Sequence, residues 1–325
     1  MRAAVCPEHG APEVVRVEEV AVPEVGAGQV RVDVRAASVN FPDVLICANE
    51  YQIKVPAPLV PGSELAGVVE SVGDGVEDLA VGDRVFGTLM VGAFAEQAVL
   101  PASALTRTPD SVSDREAAAF GVAHRTAYHS LRSVAATQPG EDVIVLGAGG
   151  GVGLAAVQLA VVMGATVTAV ASTAAKLDAA AAMGATHLVN YTDGDLRAAL
   201  KAALPGGADV VIDPVGGTRS EPALRTLHYG GRFVVVGFAA GEIPRIPLNL
   251  VLLKGCRIMG FEFMSFMTRE AEAMMRGEAE LLSLLAAGRA TPHIGAAFPL
   301  DEAAAALRYV ADGRAIGKVV LDVSS

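Results

Sequence analysis

The feature that most constrains this chain is a glycine-rich turn that joins an apolar strand to a helix of small residues. It lies within residues 143–176, which run as strand, glycine turn, helix, second strand and a short Ser/Thr/Lys segment. A strand–turn–helix unit of this kind directs backbone N–H groups and a helix N-terminus toward a phosphate. The segment therefore predicts a nucleotide site, to which the rest of the chain would bring a substrate.

The turn reads GAGGGVG, with glycines at every third position rather than in the strict G-x-G-x-x-G order. Gly147 would allow the tight exit from the strand, Gly150 would let a pyrophosphate approach the backbone, and Gly153 would let the helix pack on the sheet. Gly151 and Val152 start the helix and are predicted to complete this contact. Because the cluster lies inside a strand–helix–strand unit, a dinucleotide site is favoured over a purely structural turn.

The end of the second strand indicates which dinucleotide is bound. An NAD site ends this strand with Asp or Glu on the ribose 2′-OH, whereas this chain has Ser172 and Thr173, followed by Lys176. Hydroxyl donors and a cation suit a 2′-phosphate. An ordinary interpretation makes Ser172 a helix N-cap and Lys176 a solvated helix residue, and both interpretations can hold together. The sequence therefore predicts NADPH rather than NADH.

Composition excludes several classes of protein. The chain has 325 residues, enough for one large or two ordinary domains. Its formal net charge is −11 without a Lys/Arg cluster, so no nucleic-acid surface is expected. Cys6, Cys47 and Cys256 are far apart in sequence and form no disulfide or zinc-finger framework.

With no apolar leader at the N-terminus, we expect a cytoplasmic protein. Residues 143–175 are uncharged and long enough to span a membrane, but a buried strand–helix–strand unit has the same hydropathy, and no membrane segment is predicted.

Periodicity divides the chain into a β part and an α/β part. Short strands separated by Gly/Pro turns predict a barrel-like β domain over the first 115 residues: Val14–Val20, Gln29–Ala36, Ala66–Val72, Asp83–Phe86 and Phe94–Val99. A helix then begins with a capping box of Ser113 and Glu116. Strands and helices alternate after the glycine turn, which predicts a doubly wound parallel sheet. Helices are expected over Thr268–Ala287 and Asp301–Ala311, and the last sixty residues are expected to return to the first domain.

These motifs resemble those of the medium-chain dehydrogenase/reductase superfamily, and within it the zinc-free quinone oxidoreductase (zeta-crystallin-like) branch. The resemblance covers essentially the whole chain. It implies an α/β fold with a doubly wound parallel Rossmann domain, residues 122–262, and a GroES-like β-barrel catalytic domain, residues 1–121 and 263–325. It also implies a homodimer paired through the edge strand near residues 256–260. The segments that carry it are ASVNFPD (37–43), VPGSELAG (60–67), VGDRV (81–85), TAYH (126–129), the glycine turn, KL (176–177), MGA (183–185), VID (211–213), GGR (230–232) and GKVVL (317–321).

The departures from the zinc-dependent relatives indicate the chemistry. Asn40, Ser63 and a residue near Val122 stand where those relatives have zinc ligands, and only Glu64 retains a ligand type. One carboxylate cannot supply three converging ligands, so no metal is predicted. Without a Lewis acid, hydride would go to an acceptor that is already electrophilic, a quinone or an α,β-unsaturated carbonyl.

The resemblance also implies roles for individual residues. Asn40 and Tyr51 would contact the substrate, and the cofactor would contact Thr126 through its carboxamide, Tyr191 beside the adenosine, and Gly237, Phe238, Phe261 and Lys318 at the nicotinamide end. Other interpretations stay open: Asn40 as a turn residue, Tyr51 as a surface aromatic and Lys318 as an exposed strand residue. His124 and His129 are expected to be ordinary packing or surface residues, and Cys47 a packing residue. No proton donor stands out, and water could protonate the product anion.

Three functions are compatible with these features. The first is an NADPH-dependent quinone or enone reductase acting on a small molecule. The second is an enoyl-CoA reductase, which would need a basic patch for the CoA phosphates; Arg245, Lys254 and Arg269 are scattered candidates. The third is a non-catalytic NADPH-binding protein, against which the Asn40, Tyr51 and Thr126 set argues.

Overall fold

The polypeptide folds into two units that do not follow a simple order along the chain. A computed structural model describes residues 1–324. Unit 1 combines Met1–Val122 with the segment from Thr291 onward, and unit 2 is the inserted segment Ala123–Ala290. Helices and strands follow in this order: β1 Arg2–Val5, β2 Arg16–Glu19, β3 Gln29–Val39, α1 Phe41–Cys47, β4 Glu64–Val72, β5 Arg84–Thr88, β6 Gln97–Pro101, β7 Leu105–Arg107, α2 Asp114–His129, β8 Asp142–Leu146, α3 Gly151–Val162, β9 Thr166–Ala171, α4 Ala174–Ala182, β10 His187–Asn190, α5 Leu196–Ala203, β11 Ala208–Asp213, α6 Ser220–Thr226, β12 Leu227–Val235, α7 Leu248–Lys254, β13 Arg257–Gly260, α8 Phe263–Arg269, α9 Ala271–Ala286, β14 Ile294–Pro299, α10 Ala303–Ala311 and β15 Lys318–Asp322.

Unit 1 is built on β3, the longest strand of a seven-stranded sheet. Six strands follow the order β14-β15-β3-β4-β5-β7, and the seventh, β6, pairs with β3 off this path. The first half of β3 pairs with β6 and its second half with β15, while β4 pairs along most of its other edge. Alternate β3 residues such as Val30, Val32 and Val34 are fully buried in the core of this unit. Because β4 and β15 both run antiparallel to β3, their first residues lie beside the end of β3.

Unit 2 contains a six-stranded sheet, entirely parallel, in the order β10-β9-β8-β11-β12-β13. Its central strands are buried on both faces, as their uninterrupted apolar sequences require. The strand order reverses direction after β8, so the turn that follows β8 lies at the topological switch point of the sheet. The predicted doubly wound parallel sheet of the Rossmann type is confirmed.

Several predicted elements differ in detail. The capping box at Ser113 and Glu116 is confirmed by two reciprocal backbone–side-chain bonds of 2.9 and 3.3 Å. The single helix predicted over residues 268–287 is two helices, α8 and α9, because Glu270 leaves helical geometry at φ −120° and ψ 43°. Lys254 ends α7, and the edge strand β13 begins at Arg257.

Residues 263–290 belong with unit 2, whereas the sequence-based expectation placed them in the β domain. The reason is the packing of α9 on α2. The Arg125 guanidinium donates two hydrogen bonds of 2.8 and 2.6 Å to Glu278. The Tyr128 hydroxyl donates to Glu280. Gly277 lets the helices approach closely, since a Cβ there would lie 2.5 Å from the His129 ring.

The helices are short or polar by the standard of a membrane span. Within residues 1–324, no helix is both long enough and apolar enough to cross a bilayer.

Candidate cofactor and active site

The glycine turn after β8 has the geometry that its residue types predict. Gly147 has φ +62°, a left-handed conformation, and a Cβ there would lie 2.5 Å from Cγ2 of Val215. At Gly153 a Cβ would lie 2.1 Å from the Gly147 carbonyl oxygen. Both glycines are therefore required by the packing of the protein itself.

Gly150 differs from these two glycines. Its φ is −86°, which any residue adopts, and a methyl group added there would have the Gly147 oxygen as its nearest neighbour at 3.5 Å, an ordinary contact. The fold therefore does not need glycine at this position. The first helical bond of α3 runs from the Leu154 N–H to the Gly150 oxygen, so the N–H groups of Gly151, Val152 and Gly153 precede the hydrogen-bonded ladder. Such N–H groups can bind an anion.

The end of β9 lies against the turn. A Cβ at Gly149 would lie 2.5 Å from both Cβ and Cγ of Lys176, so the lysine stem packs directly on the turn. Gly149 was given no role from the sequence, although its place in the glycine run could have suggested a close approach. Thr173 is the N-cap of α4, accepting a 3.3 Å hydrogen bond from the Lys176 N–H. The interpretation of Ser172 as the N-cap is wrong, because Thr173 holds that position.

Tyr191 lies next to the same strand end. Its N–H donates to the Ala171 oxygen at 3.1 Å, at the side of β9 where β10 pairs. The guanidinium carbon of Arg219 lies 4.1 Å from the centroid of the Tyr191 ring. Glycine turn, Lys176, Thr173 and Tyr191 thus form one connected surface at the carboxyl ends of the parallel strands.

In unit 1, Asn40, Glu64 and Lys318 meet because they begin or follow adjacent strands. Asn40 follows β3, Glu64 begins β4 and Lys318 begins β15. The Lys318 ammonium donates to Oδ1 of Asn40 at 2.5 Å and to Oε1 of Glu64 at 2.6 Å. Lys318 is 4% exposed and Glu64 1%. The interpretation of Lys318 as an exposed strand residue is therefore wrong.

The same network uses both amide hydrogens of Asn40. Its Nδ2 donates to Oε1 of Glu64 at 2.9 Å and to Oγ of Ser63 at 3.2 Å. The other Glu64 oxygen, Oε2, accepts from the Val122 N–H at 2.8 Å. Asn40 thus belongs to a buried network and also immediately precedes α1. Its interpretation as a turn residue therefore stays open beside the predicted role in contacting the substrate.

Asp43 lies beneath this network and was not singled out from the sequence. It is buried, and its Oδ2 accepts from the Asn40 N–H at 2.7 Å, while Oδ1 has no hydrogen-bond partner within the described chain. Burial raises the pKa of Asp43 to about 7, and the nearby Glu64 charge adds to the rise. The Asn40 N–H, Ser63 and Lys318 act in the opposite direction. The pattern Asn40-Phe41-Pro42-Asp43, an N-cap followed by proline and an acid, could have revealed both α1 and this contact.

These residues do not fit a zinc ion. The positions that the resemblance equates with zinc ligands are Asn40, Ser63 and Val122, which offer an amide, a hydroxyl and an apolar side chain. The single carboxylate, Glu64, is already paired with an ammonium. Across residues 1–324, no three His, Cys, Asp or Glu side chains converge as metal ligands would. The cation beside Glu64 in this protein is Lys318.

The other predicted site residues lie in separate places. Tyr51 is half-buried against the core of unit 1, rather than lying wholly on the surface. Thr126 is buried within α2 of unit 2. Gly237 and the partly exposed Phe238 follow β12, and Phe261 follows the neighbouring β13.

The Phe261 side chain packs against other aromatic rings, which limits what it can contact. The Phe261 ring is buried, stacked on His129 at 6.4 Å and tilted on Phe266 at 5.3 Å between centroids. Burial lowers the pKa of His129 to about 4, so the imidazole is neutral at physiological pH. His129 and the buried His124 are packing residues, as expected.

Comparisons with known proteins agree with this architecture. A family model described as "Zinc-binding dehydrogenase" matches residues 151–278, and one described as "Alcohol dehydrogenase GroES-like domain" matches residues 26–110. Quinone oxidoreductase-like protein 2 of Bos taurus is 40% identical over 324 residues, which cover 99% of this chain and 92% of the relative. A probable oxidoreductase from Mycobacterium abscessus has a similar solved structure, with 35% identity and a TM-score of 0.89 over 99% of both chains. Escherichia coli quinone oxidoreductase complexed with NADPH gives a TM-score of 0.91 at 28% identity, over 99% of this chain and 100% of the other.

Proposed function

Because the chain belongs to the medium-chain dehydrogenase/reductase superfamily, in its quinone oxidoreductase branch, we propose that it is an NADPH-dependent reductase of quinones or α,β-unsaturated carbonyls that works without a metal. The observation that supports the proposal is the buried Lys318–Glu64 pair with Asn40, because the resemblance equates Asn40 with a zinc ligand of the zinc dehydrogenases. A fixed ammonium cannot activate an alcohol by coordination as a metal does. The acceptor must therefore already be electrophilic.

We propose that unit 2 holds the cofactor. The N–H groups of Gly151, Val152 and Gly153 and the open approach at Gly150 would receive the pyrophosphate. Ser172, Thr173 and Lys176 would receive the 2′-phosphate, with Tyr191 beside the adenosine. Thr126, Gly237, Phe238 and Phe261 would contact the nicotinamide end, Phe261 mainly through its backbone because its ring is buried. When bound, NADPH supplies a hydride.

The network in unit 1 limits how its residues can assist. Both Nδ2 hydrogens of Asn40 are donated to Glu64 and Ser63, so Asn40 can serve a substrate only as an acceptor or by holding Lys318. Lys318 has three N–H donors, of which two are used on Asn40 and Glu64. We propose that its third N–H polarises the carbonyl oxygen of the substrate. Tyr51 would contact the substrate, and water would protonate the enolate or hydroquinone anion.

The two alternative functions have less support. An enoyl-CoA reductase needs a basic patch, but the Lys254 ammonium is used on the Leu227 carbonyl at 2.5 Å rather than offered to a phosphate. A non-catalytic NADPH-binding protein has no need for a buried ion pair such as Lys318 and Glu64. Burying two charges costs free energy, and binding the cofactor alone gives no reason to retain such a pair.

We also propose a homodimer formed through the β13 edge of the parallel sheet. Apolar side chains cluster beside this edge with high exposure: Leu252 at 80%, Leu253 at 72%, Leu248 at 76% and Tyr229 at 80%. A strand edge with unpaired N–H and C=O groups pairs readily with a second copy. Covering these side chains would remove most of the exposed apolar surface of α7 from water.

The test of the enzymatic proposal has two stages. Fluorescence titration with NADPH and NADH measures binding and preference, with tighter NADPH binding expected. A panel containing a naphthoquinone, a simple enone, crotonyl-CoA and an alcohol with NADP⁺ then measures turnover. We expect oxidation of NADPH by the quinone or the enone. Turnover of crotonyl-CoA alone would favour the enoyl-CoA reductase, and NADPH binding without any turnover would favour the non-catalytic protein.

A further inference from the structure

Arg219 is a cation whose place in the fold is not explained by the packing of the protein. It follows the Gly216-Gly217 turn after β11 and precedes α6. Its guanidinium carbon lies 4.1 Å from the centroid of the Tyr191 ring, a cation–π contact that fixes the plane of the guanidinium.

The hydrogen-bonding capacity of this guanidinium is largely unused. Its Nε is buried and has no hydrogen-bond partner within residues 1–324, although guanidinium groups normally satisfy their donors with carboxylates or carbonyls. Two acids close to Arg219 and Tyr191 in sequence, Asp213 and Asp193, have other partners. Asp213 accepts from the N–H groups of Val215 and Gly216 and from the Ser220 hydroxyl, and Asp193 accepts from the Asn190 amide. A partly buried cation with spare donors is what an anionic ligand would complete.

The position of Arg219 relates it to the end of β9. Tyr191, on which it stacks, donates its N–H to the Ala171 oxygen at 3.1 Å. The next residue, Thr192, lies with its hydroxyl 3.5 Å from the Ser172 oxygen. A chain of contacts therefore runs from the glycine turn through Lys176 and Thr173 to Ser172, Tyr191 and finally Arg219, all within unit 2.

We propose that Arg219 is a second cation for the 2′-phosphate of NADPH and a determinant of the preference for NADPH over NADH. The planar fork of a guanidinium binds phosphate oxygens through two parallel hydrogen bonds, whereas the Lys176 ammonium acts as a point charge. Tyr191 holds that fork in place and thereby reduces the entropy lost on binding. This inference rests on the proposed function, since it needs the dinucleotide to lie on the glycine turn.

The experiment compares binding of NADPH and NADH to wild-type protein, Arg219→Gln and Arg219→Lys by fluorescence titration at two salt concentrations. Arg219→Gln is expected to weaken NADPH binding at least about tenfold, the loss typical of a charge-assisted hydrogen bond, and to leave NADH binding unchanged. Its NADPH affinity should also depend less on salt. Arg219→Lys keeps the charge but loses the fork, and should fall between the two. Arg225→Gln on the same helix is the control, because Arg225 pairs with Glu221 and should affect neither nucleotide.

Each other result overturns the inference. Equal weakening of NADPH and NADH in Arg219→Gln would mean that Arg219 supports the adenine or the loop instead of the phosphate. Unchanged affinities would mean that the side chain does not reach the cofactor. If Arg219→Gln does not fold, as seen by its melting temperature, Arg219→Lys decides by the same ratio of affinities. A wild-type protein that binds neither nucleotide overturns the inference together with the cofactor site, whereas NADPH binding without turnover contradicts only the proposed function.

Discussion

At the scale of single residues, the network of Asn40, Glu64 and Lys318 shows how groups of the protein alone can satisfy a buried carboxylate. Glu64 accepts from an ammonium, an amide and a backbone N–H, so its charge is neutralised and its oxygens are satisfied. A buried charge with its partner removed is strongly destabilising. The Lys318 ammonium therefore stabilises the buried charge of Glu64, and its third N–H is the donor that we propose for the substrate carbonyl.

Asp43 gives this network a measurable pH dependence. Its pKa is raised to about 7 in the folded protein from 3.8, so in this window the folded state holds a proton that the unfolded chain has lost. Stability from this group is therefore full below about pH 4 and decreases as the pH rises toward about 7. We expect the free energy of unfolding of the wild type, measured in urea relative to Asp43→Asn, to decrease across that range and then level off. A difference that stays constant or increases with pH would contradict the assignment.

Two glycines of the turn should separate the needs of folding from those of the ligand. Gly153→Ala places a methyl group 2.1 Å from the Gly147 oxygen and should destabilise the protein by about 1–3 kcal/mol or more. Gly150→Ala meets nothing closer than 3.5 Å and should change stability by less than about 1 kcal/mol, yet weaken NADPH binding more than about tenfold. Thermal unfolding and fluorescence titration of both variants provide the measurement. Normal NADPH affinity in Gly150→Ala would refute the assignment of this position to the pyrophosphate.

At this scale, the sequence could predict features that depend only on neighbouring residues. The roles of Gly147 and Gly153 were predictable because backbone sterics belong to the turn itself. Asp43 and Arg219 were missed because their significance depends on contacts with residues 20 or more positions away, such as Glu64 and Tyr191. Lys318 was placed in the site only by resemblance, and its burial could not be read from a strand of ordinary composition.

At the scale of elements, β10 and β13 are the two edges of the same parallel sheet. Of the two, only β13 is preceded along the chain by a helix with several exposed apolar side chains, α7. Ile258 on β13 is 40% exposed and Leu188 on β10 is 44% exposed, so the two residues form a matched pair. If β13 is the dimer edge, Ile258→Lys should shift the mass in light scattering from two chains toward one at micromolar protein concentration. Charge placed in an apolar interface is costly to bury. Leu188→Lys should leave the mass unchanged.

The opposite pattern would count against this interface. A wild type that runs as a single chain at every concentration, or dissociation by Leu188→Lys and not by Ile258→Lys, would show that β13 is not the dimer edge.

The elements that were well predicted from the sequence are those with strong periodicity. The alternation of strands and helices from β8 to β13 was recovered because each parallel strand is an apolar run bounded by glycine turns. The short α1 was missed because Pro42 and only seven residues give little periodic signal. The break between α8 and α9 was missed because Glu270 is a good helix former whose local geometry is set by the packing of α9 on α2.

At the scale of the whole molecule, the chain inserts one unit into another, and this insertion was predictable from the return of the C-terminal segment. The grouping of residues 263–290 with unit 2 was not predicted. That grouping depends on the pairing of Arg125 with Glu278 and the fit of Gly277 against His129, contacts across some 150 residues that no local pattern shows.

We propose that hydride is transferred from NADPH to an activated carbonyl without a metal. The most direct measurement is a single turnover in which chelator-treated protein, in excess over NADPH, is mixed with a naphthoquinone while the near-ultraviolet absorbance of the reduced nicotinamide is followed. The absorbance should decay well above the protein-free rate, with the same rate constant before chelation, after it, and after added Zn²⁺. No decay above the protein-free rate, or decay only when Zn²⁺ is returned, would contradict the claim.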